Sequence, residues 1–283
     1  MTVTVSNVLA RGGAPSVTIA TLVNDEVQYL AMQASFRAGG FAEPDTEYLA
    51  VRGATSAFSA LNSMLATARG RTVVLCHQDV RLLTNGRADL AERLAELDRI
   101  DPNWAVAGNA GGSSPGRLAM RITDPHGRDR HLGRLPARVM SLDENFMVLK
   151  ASAGLRFSRD LKGFHLYGAD LCLVADILGW SAWVVDFHLE HLSPGRKDIT
   201  FAEAEDRFRA KWTRALRPRW MQTTCTLLRL SGNALAQKTN RLQEKIAGSV
   251  LRRLQYSAPS DNPPSLSSPA RTSRLWFNRR HAR

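Results

Sequence analysis

The segment His77-Gln78-Asp79-Val80 follows directly on the apolar run Thr72–Cys76, so an imidazole and a carboxylate fall where a buried strand would end. A carboxylate at the carboxyl end of a strand can hold Mg2+ or Mn2+ against a diphosphate, because hard cations take oxygen ligands. The same aspartate could instead cap the following turn. A second cluster, Gly163-Phe-His-Leu-Tyr-Gly-Ala-Asp170, brings His165, Tyr167 and Asp170 to a junction between loop and helix. His165 or Asp170 could take a proton from a hydroxyl there, or Asp170 could do no more than complement the positive end of the helix dipole. A third cluster, His188-Leu-Glu-His191-Leu-Ser-Pro-Gly195, offers two imidazoles after another strand. His191 becomes a metal ligand only if the fold carries it to Asp79. Two histidines at that spacing, without cysteine partners, do not make a structural zinc site.

The elements that would position these groups alternate. Val17–Val23 is a β-branched, apolar run that stops at Asn24-Asp25, and a helical pattern through Val27, Leu30, Ala31 and Ala34 follows it to Gly39-Gly40. Tyr48–Arg52 reads as a second strand and Thr55–Ala68 as a helix with Phe58, Leu61 and Leu65 on one face. Thr72–Cys76 is a third strand, Arg87–Ile100 a helix and Trp104–Gly108 a fourth strand. Such alternation predicts a mostly parallel α/β sheet covered on both faces. Ligands then lie beyond the carboxyl ends of the strands, the edge that holds Asn24, Arg52 and His77 to Asp79.

Further along, Asn109–Gly133 is Gly- and Arg-rich and reads as a flap or hairpin. Arg138–Leu149 reads as a strand with Asp143 and Glu144 inside it, Tyr167–Leu178 as a helix and Ala182–Asp186 as a last strand. Phe201, Ala204, Phe208, Trp212 and Ala215 repeat at helical spacing as far as Pro218. Leu235, Leu242, Ile246, Val250 and Leu254 mark a further amphipathic helix, and from Tyr256 the Ser/Pro/Arg-rich composition predicts a disordered tail.

Composition narrows the class. A 44% hydrophobic and 23% charged chain of 283 residues is ordinary for a soluble protein with one large domain and an appendage. No apolar run is long enough to span a bilayer, and no basic segment followed by an apolar one opens the chain as a secretory signal would. Cys76, Cys172 and Cys225 are widely spaced and odd in number, which predicts buried, reduced thiols in a cytoplasmic protein. The net charge of +12 is unevenly spread. From Arg207 onward there are 17 Lys and Arg against 2 Asp and Glu, while the preceding residues hold 21 against 24. A slightly acidic body with a basic end does not suit a nucleic-acid groove across the body; it suits a separate contact with an anionic surface, such as the inner face of a membrane.

Taken in order, Asn24-Asp25, Gly53-Ala-Thr-Ser followed by Asn62, His77-Gln-Asp-Val80, Leu142-Asp143, Phe164-His-Leu-Tyr167 with Asp170-Leu-Cys-Leu173, and His191-x-Ser193-x-Gly195 resemble the family-2-type glycosyltransferases. The branch that carries His-Gln-Asp in place of Asp-x-Asp is the most similar, and the likeness spans about residues 16–212. It implies a GT-A fold, in which a Rossmann-like nucleotide-binding half joins an acceptor half around one divalent metal, Mn2+ or Mg2+. Asp79 and His191 match the metal site. Asn24, Asp25, Asn62, His77, Gln78, Asp79 and Asp143, with Arg52 at the same sheet edge, are the expected donor-binding residues, and Asp170 or His165 the base. Two positions depart from the family: Val51-Arg52-Gly53-Ala54 stands where relatives have an Asp-rich turn, and Gly168 where they often carry a second acidic residue.

The resemblance divides the chain into an N-terminal extension (1–15), a GT-A domain (16–217), a basic amphipathic helical region (218–255) and a basic tail (256–283). It implies a metal-dependent, inverting transfer of sugar from a nucleoside diphosphate to a hydroxyl on a glycan, lipid-linked or protein acceptor, in cell-envelope or polysaccharide synthesis. A non-catalytic GT-A scaffold that binds sugar nucleotides is the alternative, and nucleic-acid binding through the basic end ranks below both.

Overall fold

The computed structural model describes residues 15–195, 198–222, 227–231, 239, 242–250 and 253. The chain forms two compact units, Met1–Thr213 and Arg214–Arg283. The expected N-terminal extension, the tail from Tyr256, Cys225, Leu235 and Leu254 lie wholly or almost wholly outside the described residues.

The first unit runs β1 (Val17–Val23), α1 (Glu26–Ala38), β2 (Thr46–Arg52), α2 (Ala57–Thr67), β3 (Thr72–Cys76), β4 (Val80–Leu82), α3 (Arg87–Ile100) and β5 (Trp104–Gly108). It continues through β6 (Ala110–Ser114), β7 (Arg117–Asp124), β8 (Gly127–Leu132), β9 (Ala137–Val139), β10 (Ser141–Leu142), β11 (Phe146–Lys150), α4 (Tyr167–Ile177), β12 (Ser181–Val184), β13 (Leu189–His191) and most of α5 (Ile199–Leu216), whose last three residues fall in the second unit. A seven-stranded sheet has the order β2-β1-β3-β11-β5-β12-β9. Its β1, β2 and β3 are parallel, and so are β5 and β12. A smaller sheet, β10-β6-β7-β13-β4 with β8 on β7, is mainly antiparallel. This is the two-part α/β architecture that the GT-A resemblance implies.

Every residue of β5 is buried, as are four of the five in β11, so both strands read as continuous apolar runs. One face of the large sheet is covered by α2 and α4, through Phe58, Leu61, Met64, Leu171 and Cys172. The other is covered by α1 and α3, through Tyr29, Met32, Phe36, Leu90 and Leu97. Each large side chain buried this way contributes roughly 1.5–3 kcal/mol. Cys76 and Cys172 are buried free thiols, and burial pushes both up to about 12, which makes them inert fillers of the core.

Four expectations change. The sheet is mixed rather than mostly parallel, because β11 enters antiparallel between β3 and β5. Residues 138–149 are three short strands, with Asp143 and Glu144 in the turn before β11. In α1 the buried face is Tyr29, Met32, Gln33 and Phe36, whereas Val27 and Leu30 are exposed. The second unit includes a hairpin, β14 (Arg219–Gln222) paired antiparallel with β15 (Leu227–Leu230), within the region read as helical; helix is described at 239, 242–250 and 253.

Candidate active site

β3 ends at Cys76, and antiparallel pairing with β11 sets Phe146 opposite it. The pairing runs one step further, with the His77 amide donating to the Asn145 carbonyl at 2.9 Å. His77 Nε2 lies 2.9 Å from the Tyr167 hydroxyl, which is itself directed at the Glu144 carbonyl at 3.4 Å. A phenol has one proton to give. Donated to Glu144, it leaves the Tyr167 oxygen to accept from His77 Nε2–H. The tautomer inferred from this network leaves the Nδ1 lone pair free. Nδ1 is the atom that faces His191 Nε2 at 3.3 Å and Asp79 Oδ1 at 4.0 Å.

His191 arrives from the other sheet. β13 pairs with β4 so that His191 stands opposite Val80, and the Leu192 amide donates to the Asp79 carbonyl at 3.1 Å. His191 Nε2 is then 3.5 Å from Asp79 Oδ1. One ligand atom from each of His77, Asp79 and His191 lies within 4.8 Å of the other two, the one grouping of this kind among the described residues. Burial pushes the His77 imidazole below its ordinary range and the neighbouring His191 adds to this, so the ring is held neutral. Burial works against ionisation of Asp79, but the His191 hydrogen bond and both imidazoles outweigh it and hold the carboxyl below its ordinary value. Two imidazoles and a carboxylate that stays charged are a donor set able to hold a divalent cation.

The residues expected to hold a donor gather at the same edge, with their side chains engaged. Gln78 Oε1 accepts from the amides of Asn24 at 2.9 Å and Asp25 at 3.0 Å, and its Nε2 donates to Asn24 Oδ1, which ties the ends of β1 and β3 together. Asp25 caps α1, accepting from Val27 and Gln28 amides at 2.9 and 3.0 Å. Arg52 closes β2 in an ion pair with Glu26 and stands 5.5 Å over the Tyr29 ring. Asp143 is exposed and accepts from the Asn145 amide at 3.0 Å and side chain at 2.6 Å, shaping the turn that supports His77. Asn62 is elsewhere: its amide group donates to and accepts from the Phe157 backbone, both at 2.9 Å, and pins the chain ahead of α4 to α2.

Asp170 is fully buried. Its oxygens accept from the Ser158 amide at 2.8 Å, the Ser158 hydroxyl at 2.7 Å and the Trp212 indole at 3.1 Å. Burial raises its carboxyl above the ordinary value, against the pull of those hydrogen bonds. In this arrangement Asp170 holds α5 and the 158 segment in place. His165 is different. Its Nε2 lies 3.2 Å from Thr200 Oγ1, and the Thr200 hydroxyl donates to Asp198 Oδ1 at 2.6 Å. With that proton committed, Thr200 accepts from His165 Nε2–H, and Nδ1 is left as a proton acceptor. Leu166, at a left-handed φ of 63°, turns the chain between His165 and Tyr167.

Tyr167, named in the second cluster without a role of its own, sets the His77 tautomer, and Glu144, read only as part of a strand, accepts from the Gly168 amide at 3.1 Å. Burial pushes the Glu144 carboxyl up to about 8. Both border a small void with Cys76, His77 and Leu61. A turn placed at Asp143-Glu144-Asn145, three residues that favour turns and caps over strands, would have brought Glu144 forward. A larger cavity of about 360 Å3, bordered by Arg138, Met140, Cys172, Asp176 and Trp180, contains none of the predicted site residues.

A Fuscovulum blasticum protein named ATP synthase subunits region ORF 6 is 38% identical over 208 residues, spanning 69% of this chain and 83% of its own. No protein-family profile matches. Among solved structures, the mannosyltransferase PcManGT from Pyrobaculum calidifontis, in complex with GDP-Man and Mn2+, aligns with a TM-score of 0.46 at 16% identity, covering 73% of this chain and 66% of its own. A197 from STIV aligns at 0.40 and 12% identity, over 62% of this chain and 84% of its own. GalNAc-T7 with UDP, GalNAc and Mn2+ aligns at 0.40 and 8% identity, over 64% of this chain and 44% of its own. None of these scores reaches 0.5, so the alignments assign no activity.

Proposed function

The chain belongs to the family of the ATP synthase subunits region ORF 6 protein of Fuscovulum blasticum, and we propose that it is a Mn2+-dependent glycosyltransferase that moves a sugar from a nucleoside diphosphate to a hydroxyl acceptor. The observation that carries this reading is the His77, Asp79 and His191 cluster beyond the carboxyl end of β3, in a sheet whose β1, β2 and β3 run parallel. Two imidazole nitrogens beside one carboxylate suit Mn2+ better than Mg2+, which keeps an almost all-oxygen shell. A cation bound there supplies charge stabilisation for a departing diphosphate. Asn24, Asp25 and Arg52 border the edge on which the nucleotide lies. His165, oriented by Thr200 and Asp198, accepts the proton of the acceptor hydroxyl at Nδ1. Direct attack of that hydroxyl on the sugar inverts the anomeric centre, and the pathway is polysaccharide or envelope synthesis on the cytoplasmic side.

A second reading has a specific observation behind it. Asp170 is saturated with donors and Gly168 carries no side chain, so this chain could bind a sugar nucleotide without transferring the sugar. Incubation with a panel of UDP-, GDP- and other nucleoside-diphosphate sugars, with and without Mn2+, separates the two. The transferase reading predicts Mn2+-dependent release of nucleoside diphosphate from one donor. It further predicts that His165→Gln keeps donor affinity while turnover falls about 10²–10⁴-fold. Mn2+-dependent binding with no turnover across the panel favours the non-catalytic reading; neither binding nor turnover rejects both.

A further inference from the structure

The second unit has a chemistry of its own. Residues 214–283 contain 14 Lys and Arg against 2 Asp and Glu, a net of +12, which is the charge of the whole chain. The first unit, with 24 of each sign, is neutral. Large apolar side chains stand exposed in the same unit. On the hairpin they are Trp220 and Met221, each 45% exposed, and Leu230 at 43%. On the helix over 242–250 they are Leu242, Ile246 and Val250, at 60%, 57% and 50%. A spacing of four puts these three on one helix face, and Lys245 is exposed on the same helix. Trp220 pairs across the hairpin with Arg229, whose guanidinium lies 5.1 Å from its ring centre.

We propose that the second unit binds in the plane of an anionic lipid surface, with its apolar side chains in the interface and its cations among the headgroups. An aliphatic helix face beside an exposed Trp gains by leaving water, and a membrane interface accepts it together with the Arg and Lys heads around it. Nucleic acid would complement the charge but has no place for Leu242, Ile246 and Val250. A second copy would cover the apolar face but would bring another +12 against it. Among the described residues no helix is long and apolar enough to cross a membrane, which favours lying on the surface over spanning it.

Co-sedimentation of the full-length protein with phosphatidylcholine vesicles, with and without phosphatidylglycerol, tests this. The expected result is pelleting only with phosphatidylglycerol, lost as salt rises. Arg217→Gln and Lys245→Gln should each weaken partitioning about fivefold, and Ile246→Asn should weaken it while leaving thermal unfolding unchanged. Equal binding to neutral vesicles, no binding at low salt, or vesicle binding indifferent to Ile246→Asn overturns the proposal. So does tighter binding to duplex DNA than to the anionic vesicles, or lipid-free dimerisation that buries Trp220. None of these readouts depends on the sugar-nucleotide assignment.

Discussion

A general base must meet its acceptor, and Asp170 has no surface with which to do so. Three donors from Ser158 and Trp212 occupy its oxygens. Asp170→Asn sets an amide N–H against one or more of those donors, and an unsatisfied buried group of this kind costs about 1–3 kcal/mol. The variant should melt earlier in denaturant while its folded fraction binds Mn2+ and nucleotide as the parent does. Full stability with lost turnover would instead return the base role to Asp170. The members of the His77, Asp79 and His191 cluster are legible from residue types. His77-Gln-Asp79 was marked by its position after a buried strand, and His191 by its place after another. Their convergence was not, because it depends on the β13–β4 register, which sets residues more than a hundred positions apart side by side. Side-chain roles were less legible still. Gln78 and Asp25 carry the polar groups a nucleotide would need, yet they use them on the backbone of β1 and α1.

At the scale of elements, the first turn of α4 is the least tolerant contact in the site. A β-carbon at Gly168 would collide with the Leu142 carbonyl oxygen and stand 3.2 Å from the Glu144 side chain. This is the physical reason position 168 takes glycine. Gly168→Ala must push α4 away from β10, at a cost of roughly 1–3 kcal/mol. Tyr167 moves with it and releases the His77 tautomer. The expected outcome is a lower melting temperature together with weaker Mn2+ binding; stability lost with Mn2+ affinity intact would separate α4 packing from the metal centre. The helices flanking the large sheet were legible because apolar positions recur at their period and Gly or Pro closes them. The face of α1 is hard to read because apolar side chains lie on two sides of it: Val27 and Leu30 mark one pattern, while Met32 and Phe36, with polar Gln33 among them, make the core. The direction of β11 could not be read either, since a strand buried on both faces is a plain apolar run whichever way it points.

At the scale of the whole molecule, the two units divide the charge: a neutral unit bears the candidate site and a +12 unit follows it in the chain. The hairpin in the second unit was hidden because Trp220, Met221, Leu228 and Leu230 fit a helix pattern as readily as a strand. The account stands or falls on whether the first unit uses His77, Asp79 and His191 to hold a cation against a nucleotide. Calorimetric titration of UDP and GDP into the full-length protein, with Mn2+ or with EDTA, measures this directly. One of the two nucleotides should bind only with Mn2+. Asp79→Ala should abolish that binding, and His191→Ala should weaken it by at least about tenfold, with both variants folded by circular dichroism. Binding that persists in EDTA, or that Asp79→Ala leaves unchanged, would contradict the account.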